Sequence, residues 1–324
     1  MPLQLHKKNI IITVGQSSMT HSRPEDTVFA AFVAPARPKS ELWRLIVGLL
    51  LVTAAYAGGF ALLAGTVWLF AGPAAADGLL TRLAAADTPT AVVLLLFTFV
   101  GMAAGPVLAA RWLHGRSPST LLGPDCARGF AAGAVAAAAV FLVQALVLPA
   151  PYDPVPNTPL ALFLTFLPAA LIGLAIQTGA EEVLFRGYLQ SQLAARFDHW
   201  AAWMLLPSLL FGALHWNPAA GENAPLLVAA ATLFGLLAAD LTRVTGSIGA
   251  AWGLHFANNC MAILVVGLDG TLSGLALWRT PFDAAAVETL RPLLLQDMAM
   301  TLAIWAALRL WFARPWTRPA GLIF

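Results

Sequence analysis

Six polar residues stand in this chain where polar residues are costly. Glu181 and Glu182 are adjacent, and Arg186 follows in "EEVLFR"; His215 ends "FGALH"; His255 and Asn259 bound "HFANN". Carboxylate, two imidazoles and an amide form the inventory of a site that activates water for hydrolysis. Spacing sorts them. Glu182 and Arg186 are i,i+4, acid before base, which suits an ion pair on one helix face. Glu181 points about 100° away and is free to face elsewhere. His255 and Asn259 are also i,i+4 and project to one side. Each has a plain structural reading too: an ion pair at a membrane edge, an interfacial histidine, a polar contact between helices. Together they point to chemistry.

The elements that must hold them are set by composition. Of 324 residues, 59% are hydrophobic and 10% charged, against roughly 25% charged in soluble domains. Such a chain cannot cover itself with polar surface, so its solvent is lipid. The apolar blocks run close to the roughly 20 residues a helix needs to cross hydrocarbon, not the short alternating segments of a barrel. The fold class expected is all-α, a polytopic helical membrane protein of about eight transmembrane helices. They fall near Leu45–Phe70, Ala91–Ala110, Gly129–Leu148, Leu160–Ala180, Trp200–His215, Leu226–Ala239, Ser247–Leu268 and Leu293–Phe312. Residues 1–43 read as a polar cytoplasmic segment, residues 44–324 as the transmembrane domain, with a catalytic core at about 160–268.

Charge gives direction. Lys7, Lys8, Arg23, Arg37, Lys39 and Arg44 precede the first span. Arg111, Arg116, Arg128, Arg186, Arg196, Arg243, Arg309, Arg314 and Arg318 fall on the same side by alternation, and only Arg82, Arg279 and Arg291 on the other. The positive-inside rule then makes both termini cytoplasmic. A net charge of +2 carries no nucleic-acid signature. Cys126 and Cys260 have no metal spacing and are not expected to pair. Lys7 and Lys8 leave Lys39 as the only other lysine, a skew that suggests translation from Met19 rather than Met1. "GFAAGAVAAAAVF" suits close helix packing in lipid.

EExxxR, FxxxH and HxxxN, in this order on successive segments, resemble the CPBP (CAAX protease and bacteriocin-processing, or Abi) family of intramembrane endopeptidases, which includes the type II CAAX prenyl endopeptidase. The resemblance covers roughly Leu160 to Leu268. It implies a helical membrane protease opening to the cytoplasm, in the plasma membrane of a prokaryote. The substrate would be a peptide or protein, prenylated in the CAAX-processing branch, with no nucleic-acid partner.

Peptide hydrolysis needs a base, a proton shuttle and an oxyanion stabiliser. A carboxylate facing a low-dielectric cavity is a stronger base, so Glu181 is the expected general base. His215 shares the water and serves the leaving amine. His255 and Asn259 donate to the oxyanion, and Glu182 with Arg186 supports them. No cofactor is needed. The alternative is a zinc site with Glu181, His215 and His255 as ligands, although no HExxH helix is present. A non-catalytic scaffold or immunity protein is a further alternative. A transporter should show inverted repeats, and none is evident. One difficulty is depth. Counted at about 1.5 Å per residue, Glu181 lies near the cytoplasmic face, His215 near the other and His255 midway. The simplest resolution is that the fourth helix continues through "EEVLFRGYLQSQLAAR" inside the bilayer.

Overall fold

A computed structural model describes residues 24–148 and 150–314. The expected choice between Met1 and Met19 lies outside the described residues, as do Lys7, Lys8, Arg23 and Arg318. Each of the eight expected segments is helical over most of its length, and six helices among the described residues are long and apolar enough to cross a membrane.

Helix α1 (Pro24–Val33) leads through a 3-10 stretch into α2 (Leu42–Ala71). α2 has no charge after Arg44, and it stops where Gly72 turns to φ +87°. Pro73 then opens α3 (Pro73–Ala85); proline suits a first helical position because no hydrogen bond is lost there. α4 (Pro89–Trp112) is capped by Thr88, whose side chain accepts from the Ala91 amide. α5 (Cys126–Val147) carries the small-residue run.

α6 (Leu160–Glu182) does not stop at the glutamates. It passes through a π-helical segment, Val183–Gln190, into α7 (Ser191–Arg196), one helical rod of 37 residues. The helix thus continues through the glutamates as expected, and they lie inside a long rod rather than at its end. A second π segment, Ala201–Leu205, opens α8 (Leu206–Ala213). These 13 apolar residues reach only about 20 Å, short of a full span. α9 (Ala224–Thr245) ends at Gly246 in the left-handed region, and α10 (Gly249–Cys260) follows.

The seventh expected span ends earlier than its hydropathy suggests. After Met261–Val265, again π-helical, the chain leaves the helix as strand β2 (Val266–Asp269). β2 pairs parallel with β3 (Trp278–Asp283), which pairs antiparallel with β1 (Val155–Pro156). Hydropathy cannot distinguish a helix end from a short buried strand. α11 (Val287–Phe312) closes the described chain.

The connections sort to two ends of the bundle. At one end His114 Nδ1 meets the Lys39 carbonyl at 2.7 Å, Ile248 N donates to Leu122 O, and Phe29 packs on Trp203. At the other end Asn157 donates to Ser273 O and Ala276 O, Asn223 donates to Ala284 O, and Arg291 pairs with Glu222. Arg309 pairs with Asp240 of α9.

α10 is fixed by backbone contact. A Cβ at Gly133 of α5 would collide with the Ala250 carbonyl, and one at Gly253 of α10 with the Phe130 carbonyl. Helices in lipid gain little from hydrophobic exclusion, so such close approach supplies dispersion contacts instead. The helix that carries His255 and Asn259 is therefore seated without slack.

Candidate active site

The site is built from two facing helix stripes. On α6 and its continuation, Gln177 and Glu181 are one turn apart, as are Thr178, Glu182 and Arg186. On α10, Trp252, His255 and Asn259 line the facing side.

Glu182 and Arg186 form the expected pair, with Nη1 3.0 Å from Oε1, and both residues are buried. The guanidinium also donates to Gly235 O at 3.4 Å and lies 4.9 Å from the Phe211 ring centroid. An aromatic face attracts a desolvated cation, so Arg186 is held by a carboxylate, a carbonyl and a ring. His255 is buried beside the pair, its Nδ1 2.8 Å from the same Glu182 Oε1. An ionised carboxylate can only accept, which assigns the hydrogen to Nδ1. Nε2 then turns to Glu181, 3.5 Å from Oε2.

The two oxygens of Glu181 differ. Oε1 accepts from Gln177 Nε2 at 2.8 Å. Oε2 is buried with no hydrogen-bond partner among the described residues. Asn259 joins the same group, its Nδ2 donating to Gln177 Oε1 at 2.8 Å. The structure thus brings together Glu181, Glu182, Arg186, His255 and Asn259. Trp252 Nε1 donates to Thr178 Oγ1 at 3.2 Å and ties the two helices one turn away.

His215 is placed differently. It is exposed at the end of α8, and its Nδ1 lies 2.8 Å from the Phe211 carbonyl of its own helix. A carbonyl accepts, so Nδ1 carries the hydrogen and Nε2 keeps a lone pair. No hydrogen bond joins it to Glu181 among the described residues. Its link to the cluster is the Phe211 ring, 4.7 Å from the His215 ring and 6.0 Å from that of His255. The zinc alternative needs Glu181, His215 and His255 at one point. Among the described residues no three His, Cys, Asp or Glu side chains are so gathered, because His215 is turned onto its own helix.

Sequence reasoning passed over Gln177, although it stands one turn before Glu181 as a lone amide in an apolar run. It also gave His114 no role. His114 is buried, and its Nε2 meets the fully buried Tyr188 hydroxyl at 2.9 Å. Arg116, buried beside it, donates to Ser191 Oγ at 2.9 Å. Burial holds the His114 imidazole below its ordinary pKa and pushes the Arg116 guanidinium down to about 10. These contacts clamp the α4–α5 loop onto the rod that carries the glutamates.

Known proteins resemble this chain over part of its length. A curated relative, "Uncharacterized protein YyaK" of Bacillus subtilis (strain 168), is 32% identical over 182 residues, covering 53% of this chain and 59% of the relative. The chain thus spans under two thirds of that relative's length. No solved structure matches. The family model described as "Type II CAAX prenyl endopeptidase Rce1-like" matches residues 156–261. That range holds Gln177, both glutamates, Arg186, both histidines and Asn259. The segment that builds the cluster is thus the part of the chain that is similar to the Rce1-like type II CAAX prenyl endopeptidases.

Proposed function

We propose that the protein is an intramembrane endopeptidase in which Glu181 draws a proton from water. The observation that carries this is the free, buried Oε2 of Glu181, 3.5 Å from His255 Nε2. A general base must present an unoccupied acceptor to its water, and a water lying to one side of the two atoms is within hydrogen-bond reach of both. In the reaction one O–H bond of water breaks as its oxygen bonds to the scissile carbonyl carbon. The oxyanion that forms is met by Asn259, whose amide has a second N–H. Collapse breaks the C–N bond. The proton held by Glu181 passes to the leaving amine. Glu182 and Arg186 do not touch the reacting atoms; they orient His255.

The substrate class proposed is a peptide or protein with a CAAX-type C-terminus, prenylated, approached from the cytoplasmic side. The likeness of residues 156–261 to the CAAX endopeptidases supports this. The test is cleavage of a prenylated CAAX peptide by purified protein, with Glu181→Gln beside it. Wild type should cleave, and the variant should bind without turnover. Cleavage by Glu181→Gln at the wild-type rate would refute the base assignment. Full complementation by Glu181→Ala in cells would instead favour the scaffold reading.

A further inference from the structure

We propose that Gln177 is a positioning residue that couples the general base to the oxyanion donor, so that the charge on Glu181 dictates which way the Asn259 amide points. The inference rests on the hydrolytic reading above and deepens it.

Gln177 is 7% exposed and makes two side-chain bonds, Nε2 to Glu181 Oε1 and Oε1 from Asn259 Nδ2, each 2.8 Å. An amide is polar end to end, so these bonds are not independent. Ionised Glu181 offers only acceptors. The NH₂ of Gln177 must therefore face it, which turns the Gln177 carbonyl toward Asn259. That carbonyl in turn accepts only, so Asn259 must present its NH₂. Every amide orientation follows from one negative charge.

Two consequences bear on the reaction. Asn259 has one N–H committed to Gln177 and the other held in the same plane for a developing oxyanion. Without Gln177 the Asn259 amide can turn its carbonyl to that oxyanion, which repels it. Gln177 also occupies Oε1, so the oxygen left to take a proton from water is Oε2, the one beside His255. The other titratable groups facing Glu181 are His255 from α10, Tyr56 from α2, and Glu182 and Arg186 from its own rod. None of them changes in a Gln177 variant.

The experiment is the pH profile of kcat and KM for a prenylated CAAX peptide, using full-length detergent-purified protein and Gln177→Leu. Loss of one oxyanion donor's alignment should lower kcat by about 10²-fold with KM little changed. Loss of a hydrogen bond to the charged form should move the acid limb of kcat/KM upward. A merely structural glutamine would lower folded yield and leave both unchanged in the folded fraction. Gln177→Glu covers a Gln177→Leu that does not fold. It keeps the acceptor for Asn259 but sets a like charge on Glu181, so the acid limb should move further upward or turnover should vanish in folded protein. A wild-type kcat and unmoved acid limb in either folded variant would overturn the proposal. Glu181→Gln, measured alongside, separates the two readings: if it too retains turnover, the hydrolytic mechanism itself has failed.

Discussion

Replacing Arg186 with methionine would leave the Glu182 carboxylate fully buried, with His255 as its one remaining partner among the described residues. The ion pair it loses is 3.0 Å long with both side chains almost wholly out of solvent. Breaking a buried pair by removing one partner costs roughly 3–5 kcal/mol, because the other charge stays behind. Loss of the contacts to Gly235 O and the Phe211 ring adds to this. Against a total stability of about 5–15 kcal/mol, Arg186→Met should unfold at clearly lower temperature and lose activity. Adding Glu182→Gln removes the stranded charge while keeping an acceptor for His255 Nδ1, and it should recover about half of the lost stability or more. Cys126 and Cys260 are free and partly buried, so a thiol-reactive dye can follow thermal unfolding in detergent. An Arg186→Met protein with wild-type melting and turnover would show that the pair contributes nothing. A double variant no more stable than Arg186→Met would show that the stranded charge is not the source of the cost.

Three further outcomes are expected. Asn259→Ala should retain weak peptidase turnover, lower by about 10²–10³ with KM little changed; a wild-type rate would remove Asn259 from the oxyanion role. Exhaustive chelation should leave the rate unchanged. Stoichiometric zinc in active protein, with activity lost on chelation and restored by readdition, would overturn the glutamate-base assignment. Reporter fusions after Arg196 and Arg243 should read cytoplasmic, and those near Asn157 and Asn223 external; reversal at two of these four would reverse the topology.

The sequence was most legible where one helix supplies both partners. Glu182 with Arg186, and His255 with Asn259, are each a turn apart, and helical period alone puts each pair on one face. The continuation of the fourth helix through Arg196 followed from a conflict of depths among Glu181, His215 and His255. Contacts between distant segments were not legible. Gln177 reads as the polar tail of an apolar run, and only the approach of α10 gives its carbonyl a donor. His114 lies in a loop by sequence, and only folding sets it against Tyr188. Strand β2, four residues long, has no period of its own and is defined by β3 beside it. His215 shows the reverse: its motif was plain, but its distance from Glu181 depends on how α8 enters, which periodicity does not encode.

The π-helical segment Val183–Gln190 sets the rotational phase of the rod. An α-helix advances about 100° per residue, and a π turn takes one residue more to close, so the two halves of the rod are out of step with a continuous α-helix. The upstream half aims Gln177, Glu181 and Glu182 at α10. The end of the π segment and the start of α7 aim Tyr188 at His114, Gln190 at the Ala239 carbonyl and Ser191 at Arg116. Were the same residues wound as α-helix throughout, aligning one set would turn the other off its partners. The irregular turn therefore lets one continuous helix satisfy two neighbours that lie in different directions, its loop clamp and its candidate site.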